Sequence, residues 1–171
     1  MIEFKEGDIF TKNEDSNKIV CIAHQCNALG VMGAGLAKQV KTRYPEAYNL
    51  YHARTSSGLA KLGDSVMVKV DDKTNGIMYI ANLIGQYGYG TDRVQTEYPM
   101  LEIAINDMCW WLINSDDKAY KEGRMVIRFP YLMGCGLAGG DWDKVFSLIE
   151  TRFTAYNIFD NFNIEIWRRE K

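Results

Sequence analysis

Residues 24–37 crowd a histidine, an asparagine and three glycines into a short stretch: His24-Gln25-Cys26-Asn27, then Gly30, Gly33 and Gly35. An imidazole that titrates near neutral pH can move a proton during ester hydrolysis. Glycines without Cβ let a backbone approach a ligand closely and take up positive φ. Consecutive N–H groups at the start of a helix form an anion site suited to phosphate or pyrophosphate. A second run, Gly134-Cys135-Gly136-Leu137-Ala138-Gly139-Gly140, repeats the glycine pattern, and Asp141 follows it directly. Asp141 can cap the next helix or orient a water beside His24, and the sequence leaves both roles open. The spacing matches no familiar phosphate loop. A P-loop needs Lys and Ser/Thr after its last glycine, where Leu36 and Ala37 stand, and a Rossmann fingerprint would need a third glycine at Lys38.

The elements that must position these residues follow from apolar patterning. Residues 18–24 (KIVCIAH) form a near-continuous apolar run rich in β-branched residues, as expected of a central strand buried on both faces. A helix over about 34–44 stops at Pro45, and a second runs from about 46 to 58. Residues 64–70 and 76–84 read as two strands around a polar turn. A loop with three glycines covers 85–91, and a long helix is expected over 97–114, with Leu101, Ile105, Met108 and Leu112 on one face. A strand over 124–130 leads into the second glycine run, and a helix over about 141–156 and a last strand over 163–167 complete the chain. This alternation is the pattern of an α/β protein, a three-layer α/β/α sandwich with a mixed, mainly parallel central sheet of about six strands. Ligands of such sheets sit beyond the carboxyl ends of the strands, so both glycine loops are expected to face one cleft there.

The segment His24-Gln25-Cys26-Asn27, Gly30, Met32-Gly33-Ala34-Gly35-Leu36-Ala37 and Tyr44-Pro45 resembles the first ligand loop and helix of macrodomains. Residues 130–142 (PYLMGCGLAGGDW) resemble that family's second loop, and Gly7-Asp8-Ile9 its adenine-contacting turn. The three motifs occur in the family's order and span nearly the whole chain, which implies one macrodomain over residues 1–171 with ADP-ribose or a derivative as ligand. The most similar branch is that of the yeast-type ADP-ribose 1″-phosphate phosphatases and the terminal ADP-ribose–protein glycohydrolases, whose short members also occur in phages and bacteria.

Carried over residue by residue, the resemblance gives Asp8 and Ile9 to the adenine and Asn27 to the distal ribose. Gly33, Ala34, Gly35 and Leu36 fall on one side of the diphosphate, and Gly134, Cys135, Gly136, Leu137 and Ala138 on the other. Trp167 or Tyr156 would cover the base by stacking. His24 occupies the place of a histidine implicated in the phosphatases, and Asp141 could orient a water beside it or serve as the helix cap. Two departures weaken a lysine-based glycohydrolase: Gly85-Gln86 stand where those enzymes carry lysine, and Ala138 where they carry aspartate. Phosphatase chemistry is therefore the leading expectation, with an ADP-ribosyl hydrolase and a non-catalytic reader as alternatives.

Bulk properties narrow the field. A formal net charge of −2 gives no broad basic footprint for duplex nucleic acid. The four cysteines, Cys21, Cys26, Cys109 and Cys135, are expected reduced, because a chain of 171 residues can build a core without disulfides. They form no zinc pattern with His24 and His52, so neither metal nor cofactor is expected. The first residues, MIEFKEGDIF, carry acids and lack the apolar stretch of a signal peptide, and no apolar run approaches a membrane span. A monomeric cytoplasmic protein is the expectation.

Overall fold

The computed structural model describes residues 1–115, 118–155 and 159–170. The elements, in chain order, are β1 (Ile2–Glu6), β2 (Ile19–Asn27), α1 (Gly35–Arg43), α2 (Pro45–Ser56), β3 (Ser65–Asp72), β4 (Gly76–Gln86), α3 (Tyr98–Ile113), β5 (Met125–Pro130), α4 (Trp142–Thr154) and β6 (Phe162–Arg168). One six-stranded sheet runs in the order β1-β6-β5-β2-β4-β3. Every neighbouring pair is parallel except β3 with β4, which is antiparallel.

Two apolar clusters hold the layers together. Cys21, Ala23, Ala81 and Ile127 on one face of the sheet pack with Leu101, Ile105 and Met108 of α3 and with Val145 and Ile149 of α4. Ile22, Cys26 and Ile80 on the other face pack with Val40 of α1 and with Ala47 and Tyr51 of α2. Successive residues of β2 alternate between these clusters, so both its faces are covered, and the strand reads as one apolar run for that reason. The three-layer α/β/α architecture is thus as expected.

Pro45 separates α1 from α2: Tyr44 stands before it with φ −131° and ψ 74°, outside the helical region that proline denies its predecessor. β1 was not located by patterning, because only two of its five residues are even half-buried. It lies at the sheet edge, paired along its length with β6. Because β2, β4 and β5 run parallel, Asn27, Gln86 and Pro130 all end at the same edge of the sheet. Three connections therefore meet there: residues 28–34, 87–97 and 131–141.

Candidate functional site

The first glycine loop is built by a side chain at its root. Asn27 Oδ1 accepts from the Leu29 and Val31 N–H groups at 3.1 and 3.2 Å, and Asn27 Nδ2 donates to Val31 O at 2.7 Å. Helix α2 supports the loop from behind. The Tyr51 hydroxyl donates to Asn27 O at 2.5 Å, and His52 Nδ1 donates to Gly30 O at 3.0 Å. That carbonyl can only accept, which fixes the proton on His52 Nδ1. Gly30 needs to be glycine: its φ is +77°, and a Cβ there would stand 2.6 Å from Thr55 Oγ1. The loop ends at α1, whose N-cap residue, Ala34, offers no side-chain acceptor, and the first turn contains no acid. The N–H groups and positive end of that helix are left for an anion.

The second loop holds itself with backbone. Met133 N bonds to Pro130 O, Cys135 N to Leu132 O, Gly139 N to Gly136 O and Gly140 N to Gly134 O, all within 3.1 Å. Leu132, Gly134 and Gly139 take left-handed conformations, with φ of +62°, +72° and +69°. Leu132 is the one non-glycine residue among those described to do so, and such strain tends to gather at ligand sites. Asp141 closes the helix that follows: its Oδ1 accepts from Asp143 N at 2.9 Å. Unlike α1, helix α4 therefore starts with a carboxylate on its orphan N–H groups.

Between the loops lies a cavity of about 500 Å³, a volume typical of small-molecule sites. Its wall includes His24, Asn27, Gly33, Ala34, Gly35 and Leu36 on one side and Gly134, Gly136, Leu137 and Ala138 on the other. The two glycine runs do face each other across one cleft. Gln25, Gln86, Tyr89, Gly90, Thr91 and Tyr131 also line it and were not expected. The segment over 85–91 was legible as a glycine loop, but nothing in its residue types pointed to this site. Backbone bonds bring it there: Ala28 N donates to Gln86 O and Tyr87 O, and Gln95 N to Ala138 O.

Cys135, Asp8, Ile9, Asp141 and Trp167 do not line this cavity. The Cys135 thiol turns to Met133 O at 3.3 Å, and burial pushes it up to about 11, so it stays protonated at neutral pH. Asp8 caps its own turn, with Oδ1 accepting from Phe10 N at 2.9 Å and Oδ2 3.7 Å from Arg43. Ile9 is buried and its carbonyl accepts from the guanidinium of Arg128, which is itself buried and paired with Glu165 at 3.0 Å. Trp167 stacks on that guanidinium at 4.6 Å and donates through Nε1 to Glu165 at 2.8 Å. Asp8, Ile9 and Trp167 thus share one neighbourhood, since a Cβ on Gly7 would stand 3.6 Å from the indole. Tyr156, the other aromatic considered, lies outside the described residues.

His24 departs from the sequence expectation in its chemistry. It is 2% exposed, and its Nε2 lies 2.7 Å from Asn82 Oδ1. The amide nitrogen of Asn82 donates to Val66 O at 3.1 Å, so its oxygen must accept and His24 Nε2 carries the proton. Burial pulls the imidazole down to about 4, and the Asn82 bond offsets only part of that. The near-neutral titration expected of His24 is therefore corrected: it is a neutral imidazole at pH 7. The neighbouring thiol of Cys26, 3.5 Å from Nε2, is pushed up by its own burial and is also neutral.

Comparison with known proteins agrees with this geometry. No protein-family model matches the chain. An ADP-ribose 1″-phosphate phosphatase of Debaryomyces hansenii is 26% identical over 190 residues, covering 98% of each chain. One of Lodderomyces elongisporus is 24% identical over 152 residues, covering 87% of this chain and 91% of that protein. Among solved structures, a macrodomain protein from Streptomyces coelicolor superposes with a TM-score of 0.71 at 26% identity, covering 98% of each chain. Thermosipho africanus DarTG, solved in complex with ADP-ribose, matches with a TM-score of 0.63 at 20% identity over 86% of this chain and 37% of that one. By fold, loop order and these likenesses, the chain has the α/β fold of the macrodomains it resembles. No helix among the described residues is long and apolar enough to cross a membrane, and no cluster of metal-ligating side chains occurs among them.

Proposed function

We propose that this protein binds ADP-ribose and hydrolyses the terminal phosphate of ADP-ribose 1″-phosphate, as its relatives from Debaryomyces hansenii and Lodderomyces elongisporus are named for doing. The observation that carries the reading is the uncapped N-terminus of α1 facing the second glycine loop across one cavity of nucleotide size. The N–H groups of residues 33–36 and 136–138 hold the diphosphate from two sides, and Asp8, Ile9 and Trp167 take the base. Water attacks phosphorus, the bond from phosphorus to the distal ribose oxygen breaks, and that oxygen leaves protonated. Backbone N–H groups stabilise charge on the phosphoryl oxygens without metal.

His24 belongs to this reading as a neutral imidazole in the cavity wall, and Asp141 as the cap that sets the end of the second loop. The reading also carries a monomeric phage or bacterial protein of the cytoplasm that acts on neither membranes nor duplex nucleic acid. The test is release of inorganic phosphate from ADP-ribose 1″-phosphate by the purified protein, and absence of release at any pH from 4 to 9 sinks it. A His24→Ala variant with undiminished turnover removes His24 from the chemistry.

One observation favours a second reading, a non-catalytic reader of ADP-ribose: the imidazole is committed to Asn82 and titrates far below neutral pH. Tight calorimetric binding of ADP-ribose with no turnover on the phosphate or on ADP-ribosylated acceptors would select the reader. Removal of ADP-ribose from such acceptors would select a hydrolase.

A further inference from the structure

Gln25 lies between His24 and Cys26 on β2, so its side chain leaves the opposite face of the strand, toward the second loop. Its Nε2 donates to Gln86 Oε1 at 2.7 Å and to Thr96 Oγ1 at 2.9 Å. Both contacts continue. Gln86 Nε2 donates to Gly88 O at 2.7 Å, and the Thr96 hydroxyl donates to Gly134 O at 2.6 Å. The directions are forced. Thr96 has one hydroxyl hydrogen, used on a carbonyl, so its oxygen accepts from Gln25. Gln86 uses its nitrogen on a carbonyl, so its oxygen accepts as well. Both N–H groups of Gln25 are thereby engaged, and the chain of bonds runs from Gly88 to Gly134 through three side chains.

The other end of the same amide shows how closely this arrangement is fitted. Gln25 Oε1 is buried with no partner, an uncommon state for a buried acceptor. It is lodged between two glycines: a Cβ on Gly134 would stand 2.6 Å from it and one on Gly85 2.9 Å. Turning the amide over would give this site a donor but would break both outgoing bonds. Thr96 is buried, 4% exposed, and a Cβ on Gly134 would also meet its hydroxyl at 2.9 Å. The two glycines thus make room for Gln25 as well as for a ligand.

We propose that Gln25, acting through Gln86 and Thr96, is a positioning residue that sets the separation of the Gly88 segment and the second glycine loop across the cavity. It touches no reacting atom. It holds the Gly134 carbonyl on Thr96, so that the N–H groups of residues 136–138 are left for the diphosphate. The proposal rests on the ADP-ribose reading above and names which side chains make that grip rigid.

The test is calorimetry with ADP-ribose, together with phosphate-release kinetics, on the full chain carrying Thr96→Val, Thr96→Ser, Gln25→Leu or no substitution. Thr96→Val keeps the shape and loses the hydroxyl. It is expected to raise Kd and KM about tenfold with kcat changed less than about twofold, as misplacement of a group used for binding predicts. Thr96→Ser is expected to restore both to within about twofold of the parent, because the hydroxyl returns. Gln25→Leu is expected to match or exceed the loss in Thr96→Val, and if Gln25→Leu does not fold, the Thr96 pair decides. Parent-like binding by Thr96→Val overturns the inference while leaving the ADP-ribose reading intact. A loss that Thr96→Ser shares also overturns it. A parent that binds no ADP-ribose overturns both.

Discussion

The two glycine loops look alike in sequence and differ in what holds them. The first is braced by side chains, with Asn27 inside it and Tyr51 and His52 behind it, and it opens onto a helix whose N-terminus has no side-chain cap. The second is held by its own backbone and by three left-handed residues, and its helix is closed by Asp141. A glycine run before a helix is therefore not one device. Here the first loop offers electrostatic complement to an anion, whereas the second offers shape and N–H groups with the helix end already taken. The sequence reading that the two loops meet matches the structure, and of the two roles it left open for Asp141 the cap is the one observed.

Substitutions can break this contrast at points of decreasing leverage. Gly134→Ala attacks the loop that depends on backbone conformation, since φ is +72° and the Cβ meets Gln25 and Thr96. It should lower stability by about 2–3 kcal/mol and weaken ADP-ribose binding about 50-fold or more, read by denaturant titration and calorimetry. Acid probes the strand behind the first loop. His24 titrates near 4 in the folded chain against an ordinary 6.5, so the unfolded chain takes up its proton first. This contribution to stability is complete above pH 6.5 and is lost progressively toward pH 4, about 3 kcal/mol at most. Denaturation midpoints across that window should show the slope, and His24→Leu should flatten it.

A smaller effect is expected from Tyr51→Phe, which removes the hydroxyl that braces Asn27. A loss of about 1–2 kcal/mol in stability with roughly fivefold weaker ADP-ribose binding would support bracing of the first loop by α2. Unchanged binding would mean that Asn27 holds the loop alone. The smallest change should come from Asp141→Ala, about 1 kcal/mol in stability through the lost cap, with binding and turnover within about twofold of the parent. Collapse of phosphate release in that variant would instead put the carboxylate in the chemistry.

The fold and the location of the site were largely legible because they depend on short-range signals. The apolar run of β2 and Pro45 each declare themselves within a few residues, and so does each glycine cluster. What escaped depends on partners far along the chain. The neutral state of His24 is set by its burial, and the position of its proton by Asn82, 58 residues away. The Gln25–Thr96 contact spans 71 residues between side chains of no diagnostic type. Trp167 stood out as a candidate for covering a base, but its place against Arg128 and Glu165 required β5 and β6 to be set side by side. β1 escaped for the opposite reason: an exposed edge strand carries too little apolar pattern to be seen.

That edge strand has a consequence for how the molecule comes to be made. Among the described strands its one neighbour is β6, which follows it only after the other four, so β1 waits for β6 before it can enter the sheet. The turn over residues 7–11 waits with it, because Arg128 and the β6 backbone are what hold it in place. Contacts of such long sequence separation form late and slowly. A nascent chain would thus complete the half of its cleft proposed for the diphosphate before the half proposed for the base.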